Sequence, residues 1–355
     1  MAKRRERGWP VDPDPLPFPV VDNHTHLDAI APFAAQVTDR VPDDAGNLVE
    51  VPIPVPTVAE TVARAEAVGV DRMVQVGCDL EAVRWTDELL RGTSPLSSGP
   101  PPSTAPSMRP STAPSTRRST PPSTALLGAV AIHPNEAVLH ALGAHPDASA
   151  IEIAADGLTP EPGAVHATSL DDAIAEVAAV AGANPRVRAI GETGMDLFRA
   201  GPQGERVQRE AFRAHVALAK ELGLAMQIHD RDAHAQVLDV LASDGAPEVT
   251  VFHCFSGDAE MARFCAEQGW YLSFAGPVSF RANEGLREAL REVPLSQVLV
   301  ETDAPYLTPH PYRGRPNAPY LLPHTVRTVA EVLGVDLERV CRTVSETSER
   351  VYGAW

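Results

Sequence analysis

The sequence predicts a parallel (β/α)8 barrel. Eight short apolar, β-branched runs alternate with helical patterns, and polar side chains suited to chemistry recur at the C-terminal ends of those runs. The predicted strands are Pro19–Asn23, Arg72–Val76, Leu127–Ile132, Val187–Ile190, Ala225–Ile228, Val249–Phe252, Trp270–Phe274 and Val298–Glu301. Between them, Ala/Leu/Glu-rich segments with apolar residues at helical spacing predict helices over Val58–Val68, Leu80–Leu90, Leu170–Ala181, Gly204–Leu222, Ala233–Ala242, Ala259–Gln268 and Glu284–Arg291. His324–Leu333 and Leu337–Tyr352 read as two closing helices. The expected organisation is an N-terminal tail over residues 1–17 followed by one barrel domain over 18–355, a length that such barrels reach as a single unit.

Three segments interrupt the alternation. Gly92 to Ala125 is rich in Pro, Ser and Thr and has only Leu96 and Met108 as large apolar residues, so it cannot bury enough surface to offset ordering and is expected to be a disordered insert at 92–125. It falls between a helix and the next strand, on the face opposite the strand C-termini, and should leave the chemistry untouched. Ala29–Pro56 and Val138–Ala167 follow the first and third strands and belong to the active face. Their Pro and Gly content gives no regular structure, and they are expected to act as walls or lids.

The overall composition excludes several classes. Hydrophobic residues make up 44% of the chain and charged residues 22%, and no apolar run is long enough to cross a bilayer. The basic start leads into Pro and Asp, not into a signal-peptide core, and the four cysteines lack paired spacing, so a cytoplasmic protein with reduced thiols is expected. A net charge of −17 argues against a broad footprint for duplex nucleic acid, so a polyanionic substrate would need local positive charge.

That charge can come from metal ions. His24 and His26 end the first strand, where alternation along extended backbone points both imidazoles to one side. Glu192 follows the fourth strand, His229 the fifth, His253 the sixth and Asp303 the eighth, positions that converge on one mouth of a barrel. Four imidazoles and two carboxylates suit a pair of divalent ions, Mg²⁺, Mn²⁺ or Zn²⁺, that share a ligand and activate water. Glu192, with two oxygens, is the expected bridge. His24, His26 and Asp303 are expected to hold one ion, and His229 with His253 the other. Asp303 is also placed to take the proton of the attacking water. Two ions against two carboxylates would leave a positive pocket in a negative protein.

Other residues near the mouth admit two readings. His133 fits contact with a substrate phosphate or a bond to its own loop. Arg231 fits a bidentate phosphate contact or an ion pair with Asp230 or Asp232. Tyr306 and Phe255 suit base stacking or packing, and Cys254, beside Phe252 and Phe255, reads as a small buried side chain.

The same residues carry a family resemblance. Asp22-Asn23-His24-Thr25-His26-Leu27-Asp28, Ile132-His133-Pro134, Gly191-Glu192-Thr193-Gly194-Met195-Asp196, Ile228-His229-Asp230-Arg231-Asp232-Ala233, His253-Cys254-Phe255-Ser256-Gly257 and Glu301-Thr302-Asp303-Ala304-Pro305-Tyr306-Leu307 together resemble the TatD family of metal-dependent deoxyribonucleases, in order from Val20 to Tyr352. The resemblance implies a TIM barrel of the metallo-dependent hydrolase type, with His24, His26, Glu192, His229, His253 and Asp303 matching the family's metal ligands. It also implies hydrolysis of DNA, single-stranded or from 3′ ends, with deacylation of D-aminoacyl-tRNA as the alternative activity. No obligate protein partner is indicated. One departure stands out: where the family often has Arg-Asn-Glu-Pro, this chain reads Arg315-Pro316-Asn317-Ala318-Pro319-Tyr320, which puts in doubt any anchoring by the acidic side chain.

Overall fold

The computed structural model describes residues 7–42, 47–93, 126–143 and 162–355. Its main sheet has eight strands, all paired in parallel: β1 (Val20–Thr25), β4 (Val70–Gly77), β5 (Leu126–Val130), β6 (Val187–Asp196), β7 (Ala225–Arg231), β8 (Thr250–Phe252), β9 (Tyr271–Phe274) and β10 (Val298–Val300). Beyond β10 the chain runs against β1, where Asp303 N donates to His24 O at 3.0 Å and His26 N to Ala304 O at 2.8 Å. These bonds nearly close the barrel and set Asp303 beside His24 of β1 and His26 just after it. The eight expected strands are all present, and β6 and β7 run several residues further than their apolar cores indicated.

The forecast helices appear as α2 (Val58–Ala67), α3 (Leu80–Arg91), α5 (Leu170–Ala183), α6 (Pro202–Leu222), α7 (His234–Asp244), α8 (Ala259–Glu267), α9 (Glu284–Arg291), α10 (Leu322–Leu333) and α11 (Leu337–Tyr352). Many of their starts are capped locally. Thr57 forms a reciprocal capping box with Glu60, and the side chains of Asp79, Ser169, Asp258 and Asp336 each accept a hydrogen bond from the first turn of the helix that follows.

The active-face segments depart from expectation. Residues 27–35 form α1 (Leu27–Ala35) in spite of Pro32, and an antiparallel hairpin of β2 (Thr38–Pro42) and β3 (Leu48–Pro52) follows. The hairpin is largely exposed on both faces, so its sequence lacks the in-out alternation by which strands are read. Pro134 opens a further helix, α4 (Pro134–Gly143), at the position where a missing N–H costs nothing. Residues 94–125, nearly all of the Pro/Ser/Thr-rich insert, and 144–161 of the later loop lie outside the described residues. Gly92, the first residue of that insert, ends α3 in the left-handed conformation at φ 70°, and the chain resumes at the start of β5, on the face away from the strand C-termini.

Alternation along the strands divides the core in two. Val74, Val76, Leu127, Ala129, Ala189, Ala225, Val251 and Leu299 form one cluster with Val351 and Tyr352 at the end of α11, while the opposite strand faces join the helices in a larger one. His215 of α6 is buried in the outer layer, where Nδ1 donates to Ala211 O and Nε2 accepts from Ile132 N. Burial lowers its pKa from 6.5 to about 4. A depressed folded-state pKa contributes stability that is fully present above 6.5 and is lost as pH falls toward 4. The wild type is therefore expected to lose about 2 kcal/mol between pH 7.5 and 5 through this residue. Denaturant melts of His215→Gln at both pH values should lack that component; an equal loss in both proteins would refute it.

Candidate metal centre

All six residues expected to bear on metal meet at the C-terminal end of the barrel. His24 lies in β1 and His26 directly follows it at the start of α1, with their Nε2 atoms 3.3 Å apart. The register of β1 against β4 shifts between Asp22 and Thr25, and that of β6 against β7 between Ile190 and Thr193. Such irregularities re-aim side chains at sheet rims, and here they bracket His24 and Glu192. Glu192 and His229 thus lie within extended strands instead of after them. His253 directly follows β8, and Asp303 follows β10 with φ 52°, an uncommon conformation for a non-glycine residue at a functional position.

The distances distinguish two groups of atoms. His24 Nε2 lies 3.7 Å from Glu192 Oε1 and 3.9 Å from Asp303 Oδ1; His26 Nε2 lies 3.5 and 3.4 Å from the same two oxygens. Ligands at about 2.1 Å from a tetrahedral first-row ion are about 3.4 Å from each other, so this spacing fits one cation among four donors. On the other side of the same carboxylate, Glu192 Oε2 lies 2.8 Å from His253 Nε2, 3.0 Å from His229 Nδ1 and 4.0 Å from His133 Nε2. Glu192 therefore turns one oxygen to each group.

Neighbouring hydrogen bonds orient the rings. His26 Nδ1 donates to Val76 O at 3.1 Å, which leaves the Nε2 lone pair directed inward. His253 Nδ1 donates to Glu301 Oε1 at 3.2 Å with the same consequence, and Glu301 also accepts from Cys254 N and the Ser273 hydroxyl. His133 has the opposite arrangement. Its Nδ1 accepts from Asn135 N at 3.1 Å, so Nε2 carries the proton and points toward Glu192. Burial, with His229 adjacent, lowers the His133 pKa to about 3 and keeps this donor neutral.

The remaining electrostatics show a pocket that attracts cations. Burial opposes charge on His26, but Asp303 and Cys78 hold its pKa well above the ordinary range. Burial likewise opposes charge on His253, which Glu192 and Glu301 raise well above 6.5, and on His229, which Asp196 and Glu192 carry to about 9. The Glu192 carboxyl is held low against its burial by His253 and His133, and that of Asp303 by His26 and His253.

Sequence reasoning missed several contributors. Asp196 sits 3.4 Å from His229 Nε2, and Glu301 backs His253; both were inside the quoted motifs without a role. Four carboxylates therefore face or back the centre, and two divalent ions would be balanced instead of in excess. Asp22, with its pKa raised by burial to about 8, accepts hydrogen bonds from the Thr302 backbone N–H and hydroxyl and ties β1 to the segment carrying Asp303. Asn317 Nδ2 donates to Thr302 O and Tyr306 O, so the loop after β10 is anchored one residue before Ala318, without the acidic side chain.

The ambiguous residues separate. Phe255 is buried against Phe252 and Phe274, whereas Tyr306 is 50% exposed at the rim, edge-on to His26. Arg231 is exposed with its guanidinium 4.0 Å over the Phe198 ring, and Asp230 pairs with His234 at 2.8 Å instead. Cys254 is half-buried and helps line a cavity of about 480 Å³ over the cluster, a correction to its expected burial; its thiol stays neutral because burial and nearby carboxylates raise its pKa. Among the described residues no helix is long and apolar enough to cross a membrane.

The chain is similar to known proteins in both sequence and fold. The chain is 38% identical over 338 residues to the uncharacterized metal-dependent hydrolase TatD of Mycobacterium tuberculosis, covering 94% of this chain and 98% of that one. It is 39% identical over 171 residues to the uncharacterized metal-dependent hydrolase YabD of Bacillus subtilis, covering 48% of this chain and 67% of the relative. The fold matches that of YJJV, a TatD homologue from Escherichia coli, with a TM-score of 0.65 at 18% identity over 94% of this chain and 97% of that one. It also matches a TatD-family hydrolase from Entamoeba histolytica, with a TM-score of 0.64 at 15% identity over 96% and 100%. The family model described as TatD related DNase matches residues 21–353, and the chain belongs to that family.

Proposed function

We propose that the chain hydrolyses phosphodiester bonds of DNA at a two-ion centre in which His24, His26 and Asp303 hold one divalent cation, His229 and His253 hold the other, and Glu192 joins them. The observation that carries this reading is the division of Glu192 itself, Oε1 toward His24 and His26 and Oε2 toward His229 and His253. Bound divalent ions would supply Lewis acidity and a water acidified enough to attack at neutral pH.

The chain's own residues would do the rest. Asp303, within 3.4 Å of His26 Nε2 and lining the cavity, accepts the proton of the attacking water. His133, neutral with Nε2–H directed inward, donates to a non-bridging phosphate oxygen. Arg231, which lines the same cavity, supplies a fixed positive charge. His24 is buried, and Glu301 and Asp196 hold His253 and His229, so the ligand geometry is set before substrate arrives.

Protein stripped by chelator and reloaded with Mg²⁺, Mn²⁺ or Zn²⁺ is expected to cleave single-stranded oligonucleotides only when reloaded. Absence of cleavage with metal shown to be bound would defeat the reading. Faster hydrolysis of D-aminoacyl-tRNA than of DNA would transfer the same residues to carbonyl ester chemistry.

A further inference from the structure

Beside the metal cavity lies a second and larger one, of about 1040 Å³, and Tyr306 and Leu307 line both. Its walls come from the end of α1, the β2–β3 hairpin, the loop after β9 and the loop after β10, all on the active face. Among the described residues, four arginines line it, Arg7, Arg40, Arg313 and Arg315, with one carboxylate, that of Asp39. Glu50 on β3 offsets part of this charge by pairing with Arg40 at 3.0 Å and approaching Arg7 at 3.8 Å. Arg315 is tied to the carbonyls of Gly8 and Trp9. Arg313 is exposed, lies 4.7 Å over the Phe280 ring, and among the described residues no carboxylate pairs with it. Among the described residues the arginines of the cleft thus outnumber its carboxylates, in a chain of net charge −17.

It also presents aromatic surface. Phe33 and Tyr306 meet edge to face at 6.3 Å, and Phe280 forms part of the wall. Guanidinium groups interleaved with rings are the combination that holds a single strand, with phosphates on the arginines and unstacked bases on the rings. A duplex keeps its bases stacked and offers them to no such rings. The need for local positive charge is sharpened by the carboxylates around the metal centre, which would balance two ions and leave the phosphates next to the scissile one without an attractive field.

We propose that this cleft is the binding subsite for the single-stranded DNA flanking the scissile phosphate, with the β2–β3 hairpin as its outer wall and Arg313 as a phosphate contact. The assignment rests on the nuclease reading above and names how its substrate is held. Its position predicts that affinity rises with strand length as successive nucleotides leave the metal cavity and enter the cleft.

The test measures binding of fluorescent single-stranded DNA of two, four and eight nucleotides to the Ca²⁺-loaded full chain by anisotropy across a salt series, together with KM and kcat on the same strands with Mg²⁺ or Mn²⁺. Arg313→Glu is expected to weaken eight-nucleotide binding and raise KM by about tenfold, and Arg313→Ala to flatten the salt dependence by about one contact. The penalty should shrink toward the dinucleotide. An equal penalty at every length, or none at eight nucleotides, overturns the proposal, as does equal affinity for an inorganic polyphosphate of matching charge. Length-dependent binding without cleavage would sustain the cleft and remove the nuclease reading. Cleavage indifferent to Arg313→Glu would do the reverse. Thermal melts of both variants separate loss of contact from loss of fold.

Discussion

Glu192→Gln is expected to lower metal-dependent turnover by at least about a thousandfold, on the order of 4 kcal/mol of transition-state stabilisation, and to reduce the bound metal. The reason is local. Among the described residues Glu192 is the one carboxylate whose two oxygens face both groups of histidines, with Oε1 3.5 Å from His26 Nε2 and Oε2 2.8 Å from His253 Nε2. An amide keeps the size but supplies one neutral oxygen and an NH₂ directed at imidazole nitrogens that are set to donate lone pairs. Asp303→Asn is a useful companion, because Asp303 is placed within 4 Å of His24 and His26 and is assigned the proton. It should cost comparable turnover while sparing more of the metal. Elemental analysis after dialysis, alongside initial rates at saturating metal, distinguishes the two variants. Wild-type rates with a full metal complement in Glu192→Gln would end the bridging assignment.

Gly194→Ala is expected to cost more stability than any other single methyl added to the described glycines of β6, on the order of 3 kcal/mol or more, and to reduce soluble protein. Gly194 has φ 145°, where L side chains are strained, and a Cβ there would lie 2.0 Å from the carbonyl oxygen of His229, its partner across the β6–β7 ladder. That atom is backbone and cannot rotate away. Relief requires β7 to move, which displaces the His229 imidazole as well. Gly182→Ala is the control: it lies in α5, has ordinary φ and meets nothing within 4 Å, so it should be neutral or slightly stabilising. Equal melting temperatures for Gly194→Ala and the wild type would show that the close approach is absent in solution.

The two expectations are connected. Glu192 and Gly194 lie within three residues of β6, and the irregular register between Ile190 and Thr193 both turns Glu192 into the mouth and brings Gly194 against the His229 backbone. A side chain at position 194 and a functional carboxylate at 192 compete for the same local geometry, so this segment carries chemistry and backbone constraint together.

The sequence alone determined the barrel and the six residues that converge at its mouth. Both depend on patterns local in the chain: apolar runs of strand length, helical spacing between them, and polar residues just past each run, as at His24, His229 and His253. The strand at Val298–Glu301 was recognisable because burial on both faces selects continuous apolar side chains, here Val298, Leu299 and Val300. Tertiary structure alone decided which carboxylates support the centre. Asp196 and Glu301 act through His229 and His253, contacts that join different strands and leave no trace in spacing. It also decided the active-face walls. The β2–β3 hairpin is exposed and has no buried face to impose a period, so its sequence resembles a loop. The cleft it builds draws Arg7, Arg40, Arg313 and Arg315 from opposite ends of the chain. No local rule could bring those four together; closure of the barrel between β1 and the segment after β10 does so, by placing the first and last loops side by side.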